Sequence, residues 1–272
     1  MSEDNQSKKL ILLYHHVIWT ARQKIYGSWL RSPLYQRFYY FHKLQWQIEE
    51  YLSGDNISRK NARGLVAITC SANYTEVLAI VIQENIELFD EWIVVTDPKD
   101  LNTINLLKKY PKITTLLFDF TRNGNRFNKG GGIRMAQRKA YKSYPDYWYL
   151  ILDSDICITS RDSFKALDKL NDEAIYLCGD RRNFQKLSDF RRNTNFEQYS
   201  GDMRAGFLQL YRKKEFYIDW PNAGRSDIDF TKYFSTMRLF RNLSCAHLGE
   251  PENYDGKKGP RFLIDVSQDK SI

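Results

Sequence analysis

Apolar residues follow two alternating patterns between positions 64 and 152. Short continuous apolar runs are typical of strands buried on both faces, and longer stretches with helical apolar spacing are typical of helices. The predicted strands are Gly64–Thr69, Trp92–Thr96, Ile113–Phe118 and Tyr147–Leu152, and the predicted helices are Glu76–Glu87, Leu101–Lys109 and Gly131–Ser143. Because helices separate the strands, we expect an α/β fold with a mostly parallel central sheet flanked by helices.

Residues 1–60 have a different character and are predicted to form a basic, aromatic, helical extension. Within 8–52, seven Lys and Arg residues outnumber two Glu residues, and three of the chain's six Trp residues fall in the same segment. Three roles are open for this extension. It packs on the following domain with its charges solvated, contacts an anionic membrane, or binds the phosphates and bases of a nucleic acid such as DNA.

The composition adds a basic balance to this picture. The chain has 272 residues, of which 42% are hydrophobic, and 41 Lys and Arg against 33 Asp and Glu give a net charge of +8. Such a composition is typical of a globular protein with a sizeable core and argues against a disordered or fibrous chain. A positive net charge favours a polyanionic partner, such as nucleic acid, an anionic membrane or a phosphate-bearing ligand.

Two observations bear on the location of the protein. The early apolar run Leu10–Trp19 is too short to span a bilayer and has no small-residue cleavage site, so neither a transmembrane helix nor a signal peptide is predicted. The four Cys residues form no CxxC pair, which argues against a zinc site and a disulfide framework. We therefore expect a protein of the reducing cytoplasm, with peripheral membrane contact as the alternative.

Two acidic residues follow the predicted strand Tyr147–Leu152, in the order Asp153-Ser154-Asp155. In an extended chain, residues two apart point to the same side, which would bring both carboxylates to one point. Two like charges there are costly without a cation between them, and Mg²⁺ or Mn²⁺ suits such oxygen ligands. The alternative is that one Asp caps a turn near Thr159–Ser160.

These and further motifs resemble the GT-A glycosyltransferases, close to the family 2-like group. The resemblance runs over about residues 64–258 and rests on an ordered set of short motifs: Ile68-Thr69-Cys70, Val94-Val95-Thr96-Asp97, Asn128-Lys129-Gly130 with Arg134, Asp153-Ser154-Asp155, Gly206-Phe207-Leu208-Gln209-Leu210, Ser226-Asp227-Ile228-Asp229-Phe230 and His247-Leu248-Gly249. It implies a GT-A, Rossmann-like domain at 61–272, with a nucleotide-sugar half at about 61–158 and an acceptor half at about 159–272.

The resemblance also implies roles for individual residues. The residues expected to bind the nucleotide-sugar donor, a UDP- or GDP-sugar, are Thr69, Cys70, Asp97, Lys129, Arg134, Asp153, Lys257 and Lys258. The residues expected to hold Mn²⁺ or Mg²⁺ are Asp153, Asp155 and His247. Asp227 matches the position of the general base in inverting members of the family, and Asp229 would support it; in a retaining enzyme Asp227 would not be the base.

We therefore expect a metal-dependent glycosyltransferase that moves a sugar from a nucleotide sugar to a hydroxyl acceptor, either a glycan or a modified nucleic-acid base. One alternative is a non-catalytic nucleic-acid-binding protein, which the net charge favours. Another is a sugar-nucleotide pyrophosphorylase. Such enzymes usually carry a glycine-rich, arginine-containing loop after the first strand, whereas this chain has Cys70-Ser71-Ala72-Asn73-Tyr74.

His247 and the three consecutive glycines each have a purely structural role as an alternative to a functional one. His247 follows a short apolar stretch and is either a buried core histidine or a metal ligand. Gly130-Gly131-Gly132 is not a P-loop, because that motif places its lysine after the glycines. These glycines either open a helix whose amide groups meet an anion or form a strand-to-helix turn.

Overall fold

The computed structural model of the protein describes residues 63–122, 127–199, 206–217 and 223–249. All of them belong to one unit, Gly54–Ile272. The predicted extension at 1–60 and the two predicted phosphate-binding residues Lys257 and Lys258 lie outside the described residues. The division into an extension and a domain therefore stays a prediction.

Strands and helices alternate through the first half of the described chain, as the apolar pattern predicts. The strands are β1 (Leu65–Ser71), β2 (Glu91–Thr96), β3 (Ile113–Leu117), β4 (Trp148–Leu152), β5 (Ile156–Ile158), β6 (Ala174–Phe184), β7 (Glu197–Gln198), β8 (Leu208–Tyr211) and β9 (Thr236–Leu248). The α-helices are α1 (Thr75–Asn85), α2 (Leu101–Leu107), α3 (Lys129–Ser143), α4 (Leu187–Arg192) and α5 (Ala223–Thr231). Two 3₁₀ segments, Ile86–Leu88 and Arg161–Lys169, complete the set.

The described strands form one sheet in the order β3-β2-β1-β4-β8-β6-β9-β5, and β7 pairs with β6. The four strands β3, β2, β1 and β4 are mutually parallel. Strand β8 runs antiparallel to both β4 and β6, and β6 runs parallel to β9. The fold class predicted from the sequence is confirmed: an α/β protein with a mostly parallel central sheet flanked by helices.

The core lies on the faces of this sheet, because β1, β2 and β4 are buried almost throughout. Helix α3 packs closely through two glycines, Gly132 against β1 and Gly131 against Phe118, which follows β3. A Cβ atom on Gly132 would lie 2.9 Å from Cys70 Sγ, and one on Gly131 would lie 2.7 Å from Phe118 Cζ. Gly130, Gly131 and Gly132 lie in the first turn of α3, and the close packing of this helix on the sheet is a role that was not predicted for them.

The structure corrects one local expectation. The chain does not stay extended through Asp153 and Asp155; it turns there, and the Ile156 amide donates to the Asp153 carbonyl at 3.2 Å. Because the buried strand β4 ends at Leu152, the alternation of its side chains does not extend to these two residues. Asp227 and Asp229 lie inside α5, which begins at Ala223 and ends at Thr231.

The cysteines of the described part behave as the sequence suggests. Cys70, Cys157, Cys178 and Cys245 are free and buried. None of the helices in the described part of the chain is long and apolar enough to cross a membrane.

Candidate active site

The sheet brings the ends of several strands to one edge. Because β8 is antiparallel to both β4 and β6, strands β4 and β6 run in the same direction, and β9 runs with β6. The carboxyl ends of β1, β4, β6 and β9 therefore share an edge, which is where open α/β sheets bind their ligands. Five charged or ionisable residues meet in this region and form what we call the charged cluster: Lys129, Asp153, Asp155, Asp227 and His247.

Lys129 links two carboxylates of the charged cluster. It is the first residue of α3, directly after Asn128, whose side chain accepts the Gly131 amide and so caps the helix. Lys129 Nζ lies 2.6 Å from Asp153 Oδ1 and 3.6 Å from Asp227 Oδ1. The same nitrogen donates to the Gly206 carbonyl at 3.4 Å. A buried ammonium group thus joins the end of β4 to helix α5.

Asp227 is held by donors from two loops. The Gly206 amide donates to Asp227 Oδ2 at 3.1 Å, and the Tyr217 hydroxyl donates to Oδ1 at 3.1 Å. A Cβ atom on Gly206 would lie 2.2 Å from Asp227 Cγ, so only glycine permits this approach. Because Asp227 is mostly buried, these contacts fix the orientation of its carboxylate.

Tyr217 is positioned in turn by amide side chains from the sheet and from α3. The Tyr217 hydroxyl shares its one proton between Asp227 Oδ1 and Gln209 Oε1, and Gln209 Nε2 donates to the Asp227 carbonyl at 3.1 Å. Gln137 on α3 accepts the Tyr217 backbone amide at 2.8 Å. Burial and the neighbouring Asp227 raise the pKa of Tyr217 well above its usual value. The hydroxyl therefore stays protonated and serves as a donor.

Asp155 and His247 form the second contact of the charged cluster. His247 Nε2 lies 3.4 Å from Asp155 Oδ2. The His247 side chain is only 7% exposed, and its Nδ1 atom has no hydrogen-bond partner in the described part of the chain. The Leu248 amide donates to the Asp155 carbonyl at 2.8 Å, which fixes the end of β9 against the turn after β4.

Burial and mutual contact set the pKa values of Lys129 and Asp153. Burial lowers the pKa of Lys129, but the Asp153 and Asp227 carboxylates outweigh it and raise that pKa, so Lys129 is protonated. Burial raises the pKa of Asp153, Lys129 opposes this, and the Asp155 and Asp227 carboxylates raise it further. The Lys129 ammonium group thus faces the Asp153 and Asp227 carboxylates, whereas Asp155 lies beside His247.

Asp155 and His247 fit a divalent cation as a pair of ligands. Two neighbouring ligands about 2.1 Å from an octahedral ion lie about 3 Å apart, close to the 3.4 Å between Asp155 Oδ2 and His247 Nε2. In the described residues, no group of three or more His, Cys, Asp or Glu side chains is placed to hold a metal. Mn²⁺ or Mg²⁺ would therefore need oxygens from a phosphate-bearing ligand or water, which is common for these ions.

The remaining residues predicted to bind the donor are placed differently. Thr69 is fully buried, and its hydroxyl accepts the Trp92 indole N–H at 2.9 Å. The Cys70 thiol lies against the Lys129 carbonyl, and its burial raises its pKa. Asp97 follows β2, and its carboxylate accepts the Lys99 amide at 2.9 Å. The Arg134 guanidinium lies 5.9 Å from the Phe216 ring centre. None of these four side chains contributes an ion pair to the charged cluster.

Asp229 also stands apart from the charged cluster. It lies two positions after Asp227 on α5, so its side chain leaves the helix on a different side. Its carboxylate pairs with Lys232 three residues further on. The supporting role predicted for Asp229 stays a prediction.

No role was predicted from the sequence for three residues that form hydrogen bonds with Asp227: Gly206, Gln209 and Tyr217. Gly206 and Gln209 do fall in one of the motifs that carry the resemblance, so a signal was present for them. Tyr217 lies between that motif and α5 in a segment without periodic pattern, and its contact with Asp227 is visible only in three dimensions.

Comparison with known proteins gives structural likeness only. No family model matches the chain, and no curated protein matches it. Among solved structures, a 4-diphosphocytidyl-2C-methyl-D-erythritol synthase has 14% sequence identity, covers 71% of this chain and 96% of its own, and has a TM-score of 0.42. The galactosyltransferase LgtC, in complex with donor and acceptor sugar analogs, has 12% identity, covers 64% and 72%, and has a TM-score of 0.37.

A nucleotidyl transferase from Methanothermobacter thermautotroptrophicus has 11% identity, a TM-score of 0.33 and coverage of 43% of this chain. This chain spans 62% of that protein's length. At such low similarity no activity is transferred from these proteins to this chain. What the fold and the site define here is an α/β protein with a charged cluster at the carboxyl edge of its sheet.

Proposed function

We propose that the protein is a metal-dependent glycosyltransferase that uses a UDP- or GDP-sugar and a hydroxyl acceptor, either a glycan or a modified nucleic-acid base. The observation that supports this best is the charged cluster itself. It combines a buried ammonium group, a carboxylate–imidazole pair and a separately fixed carboxylate at one sheet edge. These are the groups needed to bind a diphosphate and to take a proton from an attacking hydroxyl.

Asp155 and His247 would hold Mn²⁺ or Mg²⁺, and Asp153 would meet the ribose or the ion beside them. When bound, the ion supplies Lewis-acid stabilisation of the departing diphosphate. Lys129 adds a fixed positive charge at the same place, because its neighbours keep it protonated. Lys257 and Lys258, which follow the described residues, are proposed to cover the diphosphate.

Asp227 would accept the proton of the acceptor hydroxyl. Its Oδ2 atom accepts a hydrogen bond from the Gly206 amide, and a carboxylate oxygen offers two lone-pair positions. In the transfer step the acceptor oxygen forms a bond to the anomeric carbon. The bond from that carbon to the diphosphate breaks, its electron pair leaves with the diphosphate, and the hydroxyl proton moves to Asp227.

Substitutions in the charged cluster test this assignment. We expect Asp155→Asn and Asp227→Asn each to lower kcat by about 100-fold or more, by analogy with the loss of one acid–base or electrostatic group. The measurement is release of nucleoside diphosphate from a panel of UDP- and GDP-sugars with Mn²⁺. The readout for Asp155→Asn includes the Mn²⁺ concentration at half-maximal rate, which should rise.

Asp172→Asn is the matched control. Asp172 is a buried carboxylate that pairs with Arg212 at 3.1 Å, next to the end of β8 that lies at the opposite sheet edge. It should leave kcat and the Mn²⁺ requirement unchanged. Full activity of Asp155→Asn and Asp227→Asn, with the wild-type Mn²⁺ dependence, would contradict the proposal.

A further inference from the structure

Arg181 stands near the end of β6, at the same sheet edge as the charged cluster but on the other side of β8. In the pairing of β6 with β9, Arg181 lies opposite Cys245 and Asn183 lies opposite His247. Side chains of paired residues, and of residues two apart in a strand, share a face of the sheet. Arg181 and Asn183 therefore share a face with His247.

Arg181 is buried against two aromatic rings, Tyr199 and Phe207, which contact each other edge-to-face. The residue is only 6% exposed, and its guanidinium carbon lies 4.3 Å from the Tyr199 ring centre and 4.7 Å from the Phe207 ring centre. Its Nε atom donates to Asn183 Oδ1 at 2.9 Å. These contacts hold the guanidinium plane in one orientation, with the two Nη atoms left to meet another group. Phe207 joins it to the charged cluster, because its carbonyl accepts the Asp153 amide at 3.0 Å.

Among the residues that the structure describes, no neighbour neutralises the charge of Arg181. No carboxylate of these residues lies within ion-pair distance of the guanidinium, and Nε donates its hydrogen bond to the neutral Asn183 side chain. The comparably buried Arg212 differs, because it pairs with Asp172 at 3.1 Å. A buried charge without a counter-charge is costly, and the two rings compensate it in part. A fixed guanidinium fork of this kind matches the two oxygens of a carboxylate or phosphate.

We propose that Arg181, oriented by Asn183, Tyr199 and Phe207, binds an anionic group, a carboxylate or a phosphate, carried by the acceptor. We assign the anionic group to the acceptor and not to the donor, because Lys129 and the ion at Asp155 and His247 are already the proposed partners of the diphosphate. The assignment of this anion to an acceptor substrate rests on the proposed function. Anion binding by Arg181 does not depend on turnover.

Binding of matched sugars tests the proposal without any donor. Glucuronic acid and glucose-6-phosphate are compared with glucose by ligand-observed NMR at low ionic strength, on the full chain. We expect both anionic sugars to bind at least about tenfold more tightly than glucose, as a charged hydrogen-bonded pair would give. Equal binding of anionic and neutral sugars would overturn the proposal, and this comparison needs no variant.

Three variants test whether Arg181 causes the preference for anionic sugars. Arg181→Gln should remove the preference for anionic sugars, Arg181→Lys should keep part of it, and Arg212→Gln, a buried arginine with its own carboxylate, should keep all of it. If Arg181→Gln does not fold, Arg181→Lys still tests the proposal, because it keeps the positive charge and loses the guanidinium fork. A preference that persists in folded Arg181→Gln contradicts the proposal.

Titration with UDP separates the two possible sources of the anion. UDP affinity should be unchanged in Arg181→Lys and Arg181→Gln. If these variants lose UDP affinity and not sugar-acid affinity, Arg181 serves the donor and the acceptor assignment is wrong. If the sugar preference holds but no transferase activity is found, the anion site stands and the proposed function fails.

Discussion

Lys129 is the residue on which the charged cluster depends most directly. Its ammonium group lies between Asp153 and Asp227, and its backbone carbonyl lies against Cys70. Burying an ion pair gives little net stability by itself, but removing one partner leaves an uncompensated buried charge. In this site two carboxylates would lose their common cation at once.

We expect Lys129→Met to lower the free energy of unfolding by about 3 to 5 kcal/mol, the usual cost of breaking a buried ion pair. Urea denaturation at neutral pH gives the measurement. In an Asp153→Asn/Asp227→Asn background the same substitution should cost much less, because no carboxylates remain to be compensated. Lys112→Met is the control, since the Lys112–Glu87 pair is exposed and should contribute less than about 1 kcal/mol. Equal losses for Lys129→Met and Lys112→Met would contradict this account.

Helix α3 couples the site to the sheet at the scale of whole elements. It begins at Lys129, and Gly132 in its first turn lies against Cys70 on β1. Alanine is the better helix former by about 1 kcal/mol, so glycine at this position reflects the close approach of helix and strand. A shift of α3 would carry Lys129 away from Asp153.

Gly132→Ala should therefore destabilise the protein by about 1 to 3 kcal/mol, the usual cost of overpacking, and lower transferase activity with it. A Cβ atom there would lie 2.8 Å from Phe120 Cε1. Gly179→Ala on β6 is the matched control, because its Cβ would meet Leu239 at an ordinary 3.6 Å, and its effect should stay within about 0.5 kcal/mol. Thermal and urea unfolding of both variants check this, and a Gly132→Ala protein as stable as wild type would count against it.

The elements of the first half could be predicted from the sequence because their signal is local. Buried parallel strands such as β1 and β4 are continuous apolar runs, and the parallel order places their carboxyl ends at one edge. This brings Lys129, Asp153 and Asp155 into one region before any coordinates are known. The contact between Asp155 and His247 was foreseen only through the family resemblance, because ninety-two positions separate the two residues.

The second half was much less predictable. Strands β6 and β9 pair along most of their length, although β8 and α5 lie between them in sequence. Such pairing depends on tertiary context, which propensity does not report. The hydrogen bonds from Gly206 and Tyr217 to the Asp227 carboxylate, and the turn at Asp153–Asp155, also depend on contacts between residues far apart in the sequence. The location of the site at this sheet edge was thus predictable, whereas the hydrogen bonds and ion pairs of its carboxylates were not.

At the scale of the whole molecule, charge is distributed unevenly. The net charge is +8, whereas the charged cluster holds three carboxyl groups and one ammonium group. Five units of the positive excess fall in residues 8–52, outside the described residues. We therefore propose that this excess serves the acceptor side, a nucleic acid or an anionic membrane rather than the nucleotide pocket.

The most direct test of the proposed function is a product assay on the wild-type protein with Mn²⁺, a panel of UDP- and GDP-sugars, and glycan and nucleic-acid acceptors. The account predicts release of UDP or GDP that requires the divalent ion and is matched by sugar attached to an acceptor. Release of pyrophosphate from a nucleoside triphosphate and a sugar phosphate, with no nucleoside diphosphate from any donor, would instead identify a nucleotidyltransferase and contradict it.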